Sequence, residues 1–331
     1  MGESTVITGD EGQSEDPVGS SVDDPTQVRS PRRQPLPGSL PKPVEEDPTA
    51  PARLERLLAS AGYVQADQDV AFLNQYETRG LRLQLDYLKA ELLLEEHGIE
   101  HSIVVFGSTR IPEAKTARMR LEQARTALAG DPTNAELRRR VAIAERVEAK
   151  SAYYDVAREF ARLVGHASAQ NNARIVVMTG GGPGLMEAAN RGAYDAGAKS
   201  VGLNISLPHP QFPNPYVTPE LCFKFHYFAL RKLHFLLRAK ALVAFPGGYG
   251  TFDELFETLT LIQTRTIEPM PVVLVGEGYW RRAVDFDFLS DEGVIDAEDR
   301  ELFFFADTAE QIWEGILGWY RTSGTPLLTP T

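Results

Sequence analysis

The 331-residue chain has a single cysteine, Cys222. It therefore has neither an intrachain disulfide framework nor a cysteine-based metal cluster. No metal site is expected from its six histidines. Long hydrophobic runs are also missing. No apolar stretch approaches the roughly 20 residues that span a bilayer, and no membrane partner is expected. The first ten residues, MGESTVITGD, lack a basic stretch followed by an apolar core, which argues against a secretory leader and for a cytoplasmic protein. Positive charge is scarce: 34 Lys and Arg stand against 46 Asp and Glu, a net charge of −12. No nucleic-acid partner is expected from that balance, although a local basic pocket for a small anion is compatible with it.

What is present is unevenly distributed. Residues 1–50 carry ten acids against four bases, half of the excess charge, and are rich in Pro and Ser and poor in aromatics. Such a segment buries too little apolar surface to offset its ordering entropy and is expected to be disordered. From Pro51 the spacing changes. ARLERLLASAG and DVAFLNQYETRGLRLQLDYLKAELLLEEHG place apolar residues three and four apart, predicting an N-terminal helical extension over 51–100. A nucleotide-binding catalytic domain is expected over 101–322 and a tail over 323–331.

Within 101–322, short apolar runs alternate with amphipathic stretches. HSIVVFGSTR, RIVVMTGGG, SVGLNISLP, LCFKF, ALVAFPGG, PVVLVG and LFFFADT read as strands. Two charged helices are expected after the first strand, over 117–130 and 135–167, the second capped by Thr133 and Glu136. A later helix is expected over WRRAVDFDFL, with a face suited to an oligomer interface. Apolar strands separated by amphipathic helices imply an α/β fold. The fold expected is a Rossmann-like doubly wound parallel sheet with helices on both faces and extra N-terminal helices.

Ligands of such sheets bind beyond the carboxyl ends of the strands, where glycine loops enter helices. Three loops qualify: Gly107-Ser108-Thr109-Arg110, Gly180-Gly181-Gly182-Pro183-Gly184 and Gly247-Gly248-Tyr249-Gly250-Thr251. Backbone N–H groups at a helix start favour an anion, and a phosphate is expected on Gly248 to Thr251. A simpler account exists for the third loop, because Thr251-Phe252-Asp253-Glu254 is itself a capping-box pattern. Two such loops converging on one crevice weigh against that account. The dinucleotide fingerprint is absent after the first strand and the P-loop lysine is missing, which disfavours NAD, FAD and nucleoside triphosphates.

PGGYGTFDE (246–254) resembles the PGGxGTxxE signature of the LOG family, the cytokinin riboside 5′-monophosphate phosphoribohydrolases. GGGPGLMEAAN (180–190) is similar to that family's other signature, and Arg231-Lys232 stands fifteen residues ahead of Pro246. The resemblance covers roughly residues 100–320 and is closest to the family's longer bacterial branch. It implies cleavage of the N-glycosidic bond of a nucleoside 5′-monophosphate, AMP or a cytokinin nucleotide, to free base and ribose 5-phosphate. It also implies no cofactor and a homodimer or higher homo-oligomer. By motif position, Arg231 and Glu254 match the catalytic pair. Gly107, Ser108, Arg110, Gly181, Gly182, Lys232, Gly247, Gly248, Gly250 and Thr251 match substrate-binding positions.

Those residue types suit the chemistry. Glycosidic cleavage builds positive charge on the ribose, which a carboxylate stabilises. An arginine can hold that carboxylate ionised or stabilise the departing base. Relatives are often labelled lysine decarboxylases, a reaction needing a Schiff-base lysine. Lys232 and Lys240 are the nearest candidates, and neither sits in a recognisable cofactor motif. Two other classes of function share the fold: a molybdenum-cofactor carrier that does not hydrolyse nucleotides, and a regulatory nucleotide sensor. Having both Arg231 and Glu254 favours the enzyme.

Overall fold

The computed structural model describes residues 38–328, apart from 172 and 210. The first 37 positions of the segment expected to be disordered lie outside the described residues, as do 329–331 of the tail. The chain divides into two compact units, one ending at Val70 and one beginning at Ala71. In the first, α1 (Ala50–Leu58) carries a proline in its opening turn, where the missing N–H leaves no bond unmade. The boundary falls within a one-turn helix, α2 (Val70–Leu73). No helix among the described residues is long and apolar enough to cross a membrane.

Seven strands among the described residues form one sheet in the second unit. They are β1 (His101–Phe106), β2 (Ile175–Thr179), β3 (Ser200–Ile205), β4 (Cys222–Phe225), β5 (Ala239–Ala244), β6 (Val272–Val275) and β7 (Phe303–Ala306). Their order is β4-β3-β2-β1-β5-β6-β7, and every pairing is parallel. The chain runs outward from β1 to β4 on one side, then returns to start β5 on the other. β1 and β5 therefore flank the point where the winding reverses, the place where such sheets open a ligand crevice.

The helices are α3 (Arg79–Glu96), α4 (Ala114–Gly130), α5 (Ala135–Glu148), α6 (Ala152–Asn171), α7 (Leu185–Asp195), α8 (Phe228–Leu237), α9 (Tyr249–Gln263), α10 (Glu277–Ala283), α11 (Phe286–Asp291) and α12 (Ala309–Thr322). Successive strand side chains point to opposite faces. Ile103 and Val105 of β1 thus join one core with Phe160 of α6, Ala189 of α7 and Ile316 of α12. Val104 and Phe106 join another with Leu94 of α3, Phe235 of α8, Leu255 of α9 and Trp280 of α10. Strands buried on both faces read as continuous apolar runs, as here.

Three local expectations are corrected. The single helix over 135–167 is two, α5 and α6, with Ser151 Oγ turned back to donate to the Glu148 carbonyl. The break lets α6 lay Tyr154, Ala157, Phe160 and Val164 on the core, while α5 has no buried residue. The cap of α5 is Asn134, whose side chain accepts from the N–H groups of Glu136 and Leu137. Thr133 instead donates to Asp131. WRRAVDFDFL is interrupted at Val284 and Asp285, where the Asp285 carboxylate accepts from Phe288 N–H and starts α11.

Read with the extension over 51–100, α3 packs on the sheet unit and seats α8. The Asp86 carboxylate accepts from the backbone N–H groups of His226 and Tyr227, bonds that no side chain of α8's own N-cap residue supplies. Glu91 receives a bidentate grip from Arg238 at 2.9 and 2.6 Å. Both ends of the helix that carries Arg231 are therefore held from α3.

Candidate active site

At the carboxyl ends of the strands lies a cavity of about 740 Å³. Its walls come from the loops after β1 (Gly107 to Ile111), β2 (Gly180) and β5 (Pro246 to Gly248), from the end of β3 (Asn204, Ile205) and from Tyr279 of α10. The first turns of α9 and one side of α8, with Arg231, complete that side. A further wall is formed by Ile143, Arg146 and Val147 of α5 and by Lys150 just beyond it. Of the expected site residues, Gly107, Ser108, Arg110, Arg231, Gly247, Gly248, Gly250, Thr251 and Glu254 line the cavity. Gly181, Gly182 and Lys232 do not.

The start of α9 decides what Glu254 does. The helix begins at Tyr249 with Gly248 as its N-cap, and the Gly248 carbonyl accepts from the Thr251 and Phe252 N–H groups. Thr251 is therefore the third residue of the helix, not its cap, and the capping-box account of Glu254 is set aside. The N–H groups of Tyr249 and Gly250 belong to the orphaned first turn, and the helix dipole there favours an anion. Gly247 is demanded by packing, because a Cβ on it would sit 2.0 Å from the Thr251 hydroxyl. Gly248 and Gly250 are not: a Cβ on either meets nothing within 4 Å, and Gly248 has a φ of −105°.

Glu254 is 8% exposed, and its carboxyl group has no hydrogen-bond partner among the described residues. Burial pushes its pKa up to about 7, opposed by the charges of Lys232 and Arg231 and assisted by Glu257 and Asp253. Arg231 donates from Nε to the Leu203 carbonyl at 2.8 Å and lies over the Phe235 ring. Burial pulls the guanidinium below its ordinary pKa, and Glu254 opposes that. Room for the guanidinium comes from Gly180, where a Cβ would lie 2.6 Å from one terminal nitrogen of Arg231. That role of Gly180 was not legible beforehand.

Lys232 does not line the cavity; it is paired with Asp253, which does, at 2.9 Å and with Glu257 at 3.0 Å. Burial pulls its pKa down, but those two bonds outweigh burial and leave it above the usual lysine value. Gly181 adopts a φ of +67°, and a Cβ on it would collide with Asn204, as one on Gly182 would with Met186. The loop they form is anchored by a buried network. Asn190 accepts from Thr179 Oγ1 at 2.7 Å and from Asn214 Nδ2 at 2.9 Å, and donates to Ser200. Asn214 in turn holds the Gly182 carbonyl. The last residue of GGGPGLMEAAN is thus the anchor of the loop that opens it.

Residues 186–316 match the family model described as "Possible lysine decarboxylase". Over 168 residues the chain is 31% identical to the cytokinin riboside 5′-monophosphate phosphoribohydrolase LOG3 of Arabidopsis thaliana, an alignment covering 49% of this chain and 74% of that protein. The chain belongs to the LOG family. A probable phosphoribohydrolase of the same name, LOGL3 of Oryza sativa subsp. japonica, is 29% identical over 153 residues, 43% of this chain and 67% of that one. A solved molybdenum-cofactor carrier protein from Chlamydomonas reinhardtii aligns with 67% of this LOG-family chain and 99% of its own, at 18% identity and a TM-score of 0.39.

The decarboxylase description does not suit Lys232 or Lys240 of this LOG-family protein. A Schiff-base lysine must shed its proton to react, and two carboxylates hold Lys232 as an ammonium ion. Lys240 is the second residue of β5, at the end of the strand away from the cavity.

Proposed function

We propose that this LOG-family protein hydrolyses the N-glycosidic bond of a nucleoside 5′-monophosphate, AMP or a cytokinin riboside 5′-monophosphate. The observation that carries the reading is the pairing of Gly248 and Gly250 with Glu254 on one helix start. Neither backbone conformation nor packing demands those two glycines, so the demand is assigned to a ligand that lies against the backbone. The ligand suited to orphaned N–H groups at a helix start is a phosphate. One turn further on stands a buried carboxyl group titrating near neutrality.

On this reading the phosphate rests on the first turn of α9 and the ribose reaches Glu254. Met186, Ile205, Leu207 and Phe228 offer apolar surface to the base. Ionised Glu254 takes a proton from water as its oxygen bonds to C1′. The C1′–N bond breaks, its electron pair stays on the base nitrogen, and the base takes up a proton. Positive charge on the ribose in the transition state is stabilised by the same carboxylate. The charge of Arg231 favours the ionised form of that carboxylate.

Purified protein incubated with AMP, GMP, CMP, IMP and isopentenyl-AMP is expected to release free base and ribose 5-phosphate from at least one of them. Glu254→Gln is expected to abolish release. Nucleotide binding without base release from any of the five would replace the hydrolase by a carrier or sensor.

A further inference from the structure

The glycine loop supplies only neutral donors, yet the ligand assigned to it is a dianion. Lys232 does not line the cavity and is already paired with Asp253 and Glu257. Arg231 is bound through Nε to Leu203 and acts beside Glu254. Three other basic side chains line the cavity: Arg110 after β1, Arg146 on α5 and Lys150 just past its end.

The helix pair that contributes two of them is rich in ion pairs, and its acids are already engaged. Glu122 and Glu145 pair with Arg125, Glu148 with Arg118, and Glu136 with Arg139 and Arg140. Among the described residues, Arg110, Arg146 and Lys150 have no carboxylate partner, and the bond Lys150 makes is to the Arg146 carbonyl. Ile143, Arg146, Val147 and Lys150 recur three and four apart, which puts them on one helical face. That face is the one turned to the cavity. In a chain of net charge −12, three unmatched cations lining one cavity, two of them on the α5 wall, are a charge imbalance that a bound anion relieves.

We infer that Arg146 and Lys150, with Arg110, form the charge-balancing wall of a phosphate site whose neutral floor is the glycine loop. The inference rests on the reading of that loop as a phosphate seat. It assigns a binding role to the excursion between β1 and β2, which carries the two charged helices α4 and α5. The wall recognises a phosphate ester, so affinity for the phosphorylated ligand depends on it and affinity for the bare nucleoside does not.

Calorimetric titration of the full chain with AMP, ribose 5-phosphate, inorganic phosphate and adenosine tests this in three proteins. These are the wild type, Arg146→Ala/Lys150→Ala, and Arg139→Ala/Arg140→Ala, which removes the same charge from α5 outside the cavity. Loss of two charge-assisted bonds is expected to weaken AMP and ribose 5-phosphate about 10²- to 10⁴-fold. Adenosine binding stays unchanged, and the Arg139/Arg140 variant behaves as wild type. Equal weakening by both double variants, or none by either, overturns the inference, as does a wild type that binds no phosphate compound. If wild type binds inorganic phosphate but not AMP, and the Arg146/Lys150 variant loses that binding, the anion wall stands and the nucleotide reading falls.

Discussion

Arg231 and Glu254 line one cavity and feel each other's charge, yet among the described residues no ion pair joins them. Arg231 is tied by Nε to the Leu203 carbonyl, and the Glu254 carboxyl group has no hydrogen-bond partner among the described residues. Ionising a carboxyl group whose burial raises its pKa is costly, and sites that tolerate such a cost are where perturbed acids and bases concentrate.

The cost makes stability and activity move in opposite directions at Glu254. Its folded-state pKa, about 7, lies above the ordinary 4.5, so the folded protein binds the proton more tightly than the unfolded chain does. Stability therefore falls as pH rises from about 4.5 to about 7 and levels off beyond. The loss is on the order of 3 kcal/mol. Glu254→Gln is expected to remove that slope and to melt at a higher temperature than wild type at pH 8. Loss of base release by about 10²-fold or more accompanies it. Melting curves at pH 5 and pH 8 decide; a variant less stable than wild type at pH 8 contradicts the assignment.

If ionised Glu254 is the working form, kcat/KM rises with pH through about 7 and then flattens. Lys232 is the largest of the charges that hold that pKa down. Lys232→Gln removes it and leaves Asp253 and Glu257 unpaired nearby, and both changes push in one direction. The midpoint of the pH–rate profile is expected to move upward. An unmoved midpoint would separate the profile from Glu254.

Gly250 lies inside α9 with open space where a Cβ would go. Glycine in a helix costs up to about 1 kcal/mol relative to alanine, so Gly250→Ala is expected to raise stability slightly. The same methyl group intrudes on the proposed phosphate seat and is expected to raise KM while the melting temperature holds or increases. Thermal denaturation and steady-state kinetics on one preparation read both effects.

Gly180→Ala tests the placement of Arg231 without touching it. The added Cβ would stand 2.6 Å from the guanidinium and 2.9 Å from the Met186 sulfur, displacing both. Activity is expected to fall toward that of Arg231→Ala while circular dichroism stays native. Full activity in the variant would show that the position of the guanidinium is not critical.

Asn190 carries the remaining prediction. Its replacement by alanine leaves Thr179, Ser200 and Asn214 short of buried partners. Orphaned buried polar groups cost about 1–3 kcal/mol each, so chemical denaturation is expected to show a loss of several kcal/mol. Base release falls with it, because the Gly180 loop loses its anchor.

The strands, their parallel pairing class and the glycine loops were legible because each rests on local pattern. Apolar runs too short for helices, four of the seven ending in glycine, admit little but buried parallel strands, and the matching helices follow from three-and-four spacing. The same pattern misjudged breaks such as those at Ser151 and Asp285, where packing against the sheet outweighs helical continuity. It also could not see that α3 seats α8, since Asp86 and Glu91 reach partners some 140 residues away.

The sequence by itself determined that Glu254 and the glycines share one helix start, for they lie within eight residues of each other. Whether Glu254 caps that helix or stands free was decided by the tertiary structure. Gly247 lets Thr251 pack close, α9 begins at Tyr249, and the carboxyl group is carried past the cap into the cavity. The pairing of Lys232, the space that Gly180 leaves for Arg231 and the cations of α5 were decided the same way. Each depends on which elements the sheet brings side by side, and spacing along the chain holds no information about that.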